Sequence, residues 1–146
     1  MQPEVARWAA ALAEFGIAPS VNHDDFHDAN VFPRNGDYAT FDWGDASVAH
    51  PFATMLVTLN SIAHFNQLAA GSPELARLRD AYLEPWTADY RRAELVEAVR
   101  LAIRTAKIGR ALSWQRALVG GTAEEIAPYA DAVPGWLTEL FEPDLV

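Results

Sequence analysis

A mainly α fold with one small β-hairpin is what this chain of 146 residues predicts, and three observations lead there. Apolar residues recur at spacings of three and four through most of the length, which is the period of a helix with one buried face. Proline and glycine fall at intervals that punctuate those runs rather than interrupt them. Near the amino end, Val31-Phe32 and Tyr38-Ala39-Thr40-Phe41 flank Pro33-Arg34-Asn35-Gly36-Asp37, and Asn-Gly tolerates the positive φ that a tight hairpin demands.

Taken in order, residues 3–15 form the first helix, with Val5, Trp8, Leu12 and Phe15 on one side, Pro3 in the first turn and Gly16 ending it. Pro19 disfavours α geometry in the residue before it, so Ile17 to Asn22 is extended. The hairpin comes next, with a polar loop at each end. A long helix then starts near Val48 to Pro51 and ends by Ala70, with Phe52, Met55, Leu56, Leu59, Ile62 and Ala63 in a wide stripe and Phe65 at its margin. Ser72-Pro73-Glu74 reads as cap, first-turn proline and early acid for a shorter helix with Leu75, Leu78 and Tyr82 inside, interrupted at Glu84-Pro85-Trp86-Thr87. The longest helix runs from Ala88 to about Trp114, with Leu95, Val99, Ala102 and Ala106 on one side and Val96, Ile103, Ile108 and Leu112 widening the face. Thr122-Ala123-Glu124-Glu125 matches a capping box, and Pro128, Pro134 and Gly135 divide the tail into short helices.

The length predicts a single domain over 1–146, with a hairpin unit at 23–45 and a helical subdomain at 48–146; such a chain buries roughly two-thirds of its unfolded surface. Eleven Lys plus Arg stand against 20 Asp plus Glu, a formal net charge of -9. That balance argues against nucleic-acid and anionic-membrane partners, which call for a basic face. It leaves room for a phosphate substrate held through a divalent metal. There is no Cys, hence no disulfide framework and no thiolate metal site. The first residues lack a basic, then apolar, leader pattern, and a cytoplasmic location is the expectation.

The loops flanking the hairpin carry His23, Asp24, Asp25, His27, Asp28, Asn30, Asp42 and Asp45. A carboxylate in an apolar neighbourhood needs donors or a cation. Asp25, Asn30 and Asp42 are hard oxygen donors of the kind Mg²⁺ accepts, with water and substrate phosphates completing the shell. His23 and His27 would orient the loop. Each residue taken alone is as readily a turn cap or a satisfied interior group. A transition-metal site of His23, His27 and Asp42 is a second arrangement, requiring the loop to be helical.

The run from His23 to Asn30, followed by a hairpin and Phe41-Asp42-Trp43, resembles the catalytic loop of the aminoglycoside phosphotransferase and choline kinase-like superfamily, His-Gly-Asp-Leu-His-x-x-Asn with a following Ile-Asp-Trp. The resemblance covers about residues 5 to 140, including Ala49-His50-Pro51-Phe52 and Glu84-Pro85-Trp86. It implies the carboxyl-terminal lobe of a protein-kinase-like fold, with the ATP-binding small lobe absent. It also implies Asp25 as catalytic base, His23 and His27 as the loop's histidines, and Asn30 and Asp42 as ligands of Mg²⁺ against ATP. Asp24 stands where the family has Gly, and Asp28-Ala29 where Pro-Gly is frequent; both changes bear on loop geometry and metal affinity. Lys107 is the sole Lys and lies in a late helix, and no Gly-rich strand-turn-strand precedes the loop.

The implied function is that of a carboxyl-terminal fragment of a small-molecule kinase, moving the ATP γ-phosphate to a hydroxyl of an aminoglycoside-, choline- or sugar-like substrate. The chain alone would have little or no activity. Acidic side chains among the later helices would attract a cationic alcohol or amine. Two other classes compete. One is a non-catalytic binding or homo-oligomerising protein on the same scaffold, with Trp8, Phe15, Phe52 and Trp86 as candidate surface and core placement the simpler reading of each. The other is a metal-dependent hydrolase using the same oxygens.

Overall fold

A computed structural model describes residues 2–146 as mostly helix with two separate two-stranded antiparallel sheets. The helices are α1 (Gln2–Glu14), α2 (Met55–Asn66), α3 (Pro73–Leu83), α4 (Arg92–Leu118), α5 (Ala123–Ile126) and α6 (Ala132–Thr138). The strands are β1 (Ser20–Asn22), β2 (Val31–Arg34), β3 (Asp37–Thr40) and β4 (Ser47–Ala49).

The hairpin is the one the Asn-Gly turn predicts. Strands β2 and β3 pair from Val31↔Thr40 to Arg34↔Asp37, and Asn35 and Gly36 take φ of 53° and 90°.

The second sheet was not expected. The extended segment before the loop becomes β1 and pairs with β4, Ser20 opposite Ala49 and Asn22 opposite Ser47. Val48 and Ala49, which the sequence places near the start of a helix, are therefore strand. Pro51–Thr54 form a 3₁₀ turn, and α2 begins only at Met55. The cause is local competition: Ser47 and Val48 find a strand partner across the loop, while Pro51 confines helical geometry to the residues after it. The helix also closes earlier than Ala70, at Asn66, where Gln67 turns left-handed at φ 55°.

Helix α4 is the axis of the molecule, touching α1, α2, α6 and the 51–54 turn. It begins at Arg92 rather than Ala88, because a turn over Glu84–Ala88 continues the interruption and Glu94 accepts the Arg91 backbone N–H at 3.1 Å as a cap. It extends past Trp114 to Leu118. One core joins Leu12, Phe52, Met55, Leu56, Leu59, Leu75, Leu83, Leu95, Val99 and Ile103. Burying each such side chain contributes about 1.5–3 kcal/mol. Phe52 is fully buried, with Tyr82 and Trp86 edge-on at 6.1 and 5.0 Å, so it is no part of an outer surface. Trp8 and Phe15 are half-buried, Trp8 beneath the Arg104 guanidinium at 5.2 Å. Phe65, at the margin of the α2 stripe, is 72% exposed.

Candidate functional site

The two sheets act on the polar loops as a pair of clamps. The β1/β4 ladder holds residues 22 and 47 together, and the β2/β3 ladder holds 31 and 40 together. The loop from His23 to Asn30 and the loop from Phe41 to Ala46 thus run side by side between them. Asn22, buried at the end of β1, reinforces the first clamp by donating its side-chain amide to Ser20 O at 3.0 Å and Ala49 O at 3.1 Å. The Phe41 N–H donates to Asn30 O at 3.2 Å, which extends the second clamp by one step and sets Asp42 next to it.

Asn30 is buried at the head of β2. Its Nδ2 donates to the Asp25 carbonyl at 2.9 Å and to His27 Nε2 at 3.2 Å, with Asp25 Oδ2 at 3.4 Å. The amide nitrogen is thereby committed to the loop, and its Oδ1 is left over as an acceptor. His23 is buried and donates from Nε2 to the Phe41 carbonyl at 2.8 Å, with its ring tilted against that of Trp43 at 4.7 Å. It is a strut between the two loops; its Nδ1 is buried without a partner. His27 sits with Nε2 3.6 Å from Asp25 Oδ2 and Nδ1 3.8 Å from Asp28 Oδ1.

Asp42 is exposed and held at φ 61°, ψ 58°, a left-handed conformation that Asp tolerates better than most residues. No hydrogen bond engages its carboxylate among the described residues. Asp24 likewise has φ 59°, which explains why a pattern with Gly at that place fits the backbone. Burial pushes the Asp24 carboxyl above its ordinary range, opposed by a hydrogen bond from Ser47 and by the charge of Arg110, with Asp45 adding to the rise.

The residue that sequence reading missed is Arg110, on α4. Its guanidinium bridges Asp25 Oδ1 and Asp45 Oδ2, both at 2.7 Å. The signal was present: Val99, Ile103, Ala106, Arg110 and Ser113 repeat at spacings of four and three, so a cation continues a buried stripe in a strongly acidic chain. The later helices therefore offer the acidic loop a positive charge, where negative ones were expected.

Asp25, Asn30 and His27 are brought into direct contact, His23 braces the Phe41 carbonyl of the adjoining loop, and Asp42 is the residue after the Phe41 whose N–H meets the Asn30 carbonyl. The alternative set of His23, His27 and Asp42 is not assembled, since no group of three His, Cys, Asp or Glu side chains among the described residues is placed to share an ion. The donor chemistry at Asn30 Oδ1 and the Asp42 carboxylate is that of a hard divalent cation with few protein ligands and much water, as Mg²⁺ prefers. Lys107 is buried in α4 and donates to Glu139 O at 2.6 Å, far from a phosphate-positioning role.

Two cavities meet at Arg110. One, about 280 Å³ and open, lies over Asp25 and Trp114. The other, about 340 Å³, lies between β4, α2 and α4 and is bordered by Asp24, Ser47, His50, Leu56 and Leu112. Asp45, Arg110 and Ser113 border both. Comparison of the chain with protein-family models, with curated proteins and with solved structures found no match.

Proposed function

We propose that the chain is the carboxyl-terminal, catalytic-loop portion of a small-molecule phosphotransferase, completed by an ATP-binding lobe that these residues do not supply. The reading rests on one observation above the others. The amide of Asn30 is spent on the Asp25 carbonyl and His27, which leaves its oxygen as an acceptor in the loop that carries Asp25, while Asp42 follows directly on Phe41, whose N–H is bonded to the Asn30 carbonyl.

In this reading Asp25 accepts or orients the proton of a substrate hydroxyl in the open groove. Arg110 occupies its Oδ1, so Oδ2, with contacts only at 3.4 and 3.6 Å, is the atom that faces the hydroxyl. Asn30 and Asp42 would hold Mg²⁺, which when bound neutralises and orients the ATP phosphates. His23 fixes the Phe41 carbonyl and through it the approach of Asp42 to Asn30. Positioning is most of phosphoryl-transfer catalysis, so the isolated chain turns over far below the roughly 1–100 s⁻¹ of complete kinases.

Calorimetric titration with MgADP tests the assignment. Asp42→Asn and Asn30→Ala each weaken the magnesium-dependent part of binding by about tenfold or more, as loss of a charged or oxygen ligand costs over about 1.4 kcal/mol. Equal binding by wild type and both variants overturns it.

A second reading, a non-catalytic scaffold that binds another protein or another copy of itself, is favoured by exposed apolar residues on the two sheets. There Val21 and Val48, paired across β1 and β4, are 67% and 75% exposed, and Tyr38 is 80% exposed. Such apolar exposure marks interaction surfaces. It is compatible with the first reading, because a completing lobe would also need a face to rest on.

A further inference from the structure

Gly109 stands in the body of α4, where glycine is destabilising relative to alanine because the unfolded chain has more freedom to lose there. Its backbone is ordinary helix, and a Cβ at that place would meet no atom within 4 Å, so neither a turn nor close packing calls for glycine. What the bare backbone does is leave α4 flat where the helix borders the cavity between β4, α2 and α4. Ala106, Gly109, Ser113 and Arg116 follow one another along that face at spacings of three and four. The other walls are small or apolar as well: Ala49 comes from β4, Ala53 from the 51–54 turn, and Leu56 and Val57 from α2. The polar groups at the border are spent on one another. Asp45 accepts from Arg110 at 2.7 Å, Ser113 accepts from Arg116 at 3.0 Å, and Asp24 accepts from Ser47. His50 Nε2 and Arg110 Nε are sealed within the protein, out of reach of an occupant. Asp24 and Asp45 stand against Arg110 and Arg116 at this border, which favours neither a cation nor an anion, and an ion entering apolar walls gives up its water without return.

We propose that this cavity binds an uncharged, flat, mainly apolar molecule of two fused aromatic rings, lying against Ala106 and Gly109 of α4. Its volume of about 340 Å³ is roughly twice that of a cavity of about 150 Å³ that takes one benzene ring. Alanine and glycine on β4, the 51–54 turn and α4 let a planar ring approach the backbone closely. This class departs from the cationic amine that the acidic composition suggested. It departs equally from a polyhydroxylated ring, whose hydroxyls would find no unspent partner in these walls.

The cavity shares Asp45, Arg110 and Ser113 with the groove over Asp25. On the phosphotransferase reading, on which this one step rests, a hydroxyl carried by the ring takes the ATP γ-phosphoryl group on its oxygen, its proton passes to Asp25, and ADP leaves. Binding itself needs neither metal nor nucleotide, so it is tested on the full chain in metal-free buffer. Naphthalenemethanol is titrated while the methyl resonances of Leu56 and Val57 are followed by NMR, beside two charged analogues of the same shape, naphthoate and naphthylmethylammonium. The neutral alcohol is expected to shift both sets of methyl signals and to bind about tenfold more tightly than either ion. Gly109→Leu fills the space over α4 and is expected to weaken binding by about tenfold or more. Its melting temperature is expected to equal or exceed that of the wild type, because leucine raises helix propensity. Should Gly109→Leu not fold, Gly109→Ala, which gains propensity and takes less of the volume, weakens binding in the same direction. No methyl shift with the alcohol, binding of either ion as tight as that of the alcohol, or a folded Gly109 variant that binds as tightly as wild type overturns the proposal. Any of these leaves the magnesium-dependent assignment of Asn30 and Asp42 to its own titration, and failure of that titration removes the acceptor role while the ring site stands.

Discussion

Arg110 and His50 show how single residues decide the properties of this molecule. The Arg110 side chain is 14% exposed, and its partners Asp25 and Asp45 are 22% and 38% exposed, so the ion pairs are partly shielded from water. Breaking such a pair by removing one member leaves uncompensated charge behind. Arg110→Ala is expected to destabilise the fold by about 1–3 kcal/mol in urea unfolding, less than the loss of a fully buried pair because of the partial exposure. Adding Asp25→Asn and Asp45→Asn to that variant recovers part of the loss. His50 gives a pH signature. Burial pushes its pKa from the ordinary 6.5 down to about 4. Between those values the unfolded chain binds a proton that the folded one refuses, so the contribution is complete above pH 6.5 and falls away as the pH drops toward 4. After discounting for half-burial, it amounts to about 1–2 kcal/mol. His50→Gln flattens unfolding free energy across that window; an unchanged slope contradicts the assignment. Neither role was legible in the sequence, since an Arg or His takes its meaning here from a partner at a separation of 85 residues, or from a cavity that only packing creates.

At the level of elements, the hairpin and the capped helices were legible because their signals are local. Asn35-Gly36 needs only its own backbone, Ser72 caps α3 within three residues, and Thr122 and Glu125 cap each other across one turn. The β1/β4 pair was not legible. It joins three-residue strands 27 positions apart, and nothing in Ser47-Val48-Ala49 distinguishes a strand from a helix start until the partner is known. This unread pair closes the base of the site. Asn22 is its lock, so Asn22→Ala is expected to cost about 1–3 kcal/mol by stranding the acceptors it serves. Hydrogen exchange of the β4 amides should quicken while that of central α4 amides follows the global change alone. Uniform change throughout would show that the ladder has no independent opening.

Over the whole molecule, the core followed from helical periodicity: Leu95, Val99 and Ala102 of the predicted stripe are fully buried, and α4, with its widened apolar face, packs against α1, α2 and α6. The polar loops that carry the candidate residues were readable, but the Arg110 that joins them to α4 was not. The loops contribute acid, α4 contributes the balancing arginine, and two short sheets bring residues from the first third of the chain onto the face of a helix from its last third. The site thus keeps the acidic sign of the whole chain, with Arg110 offsetting the charge of Asp25 and Asp45. The proposed phosphotransferase needs Asn30 and Asp42 to face one divalent cation beside Asp25. Titration with Mn²⁺ under NMR observation measures this most directly, because the ion broadens signals of nearby nuclei. The signals of the Asn30 side-chain amide and the Asp25 and Asp42 backbone amides are expected to be lost first, with recovery in excess Mg²⁺ and no such loss in Asp42→Asn. Broadening that begins instead at scattered surface carboxylates, and is the same in Asp42→Asn, would contradict it.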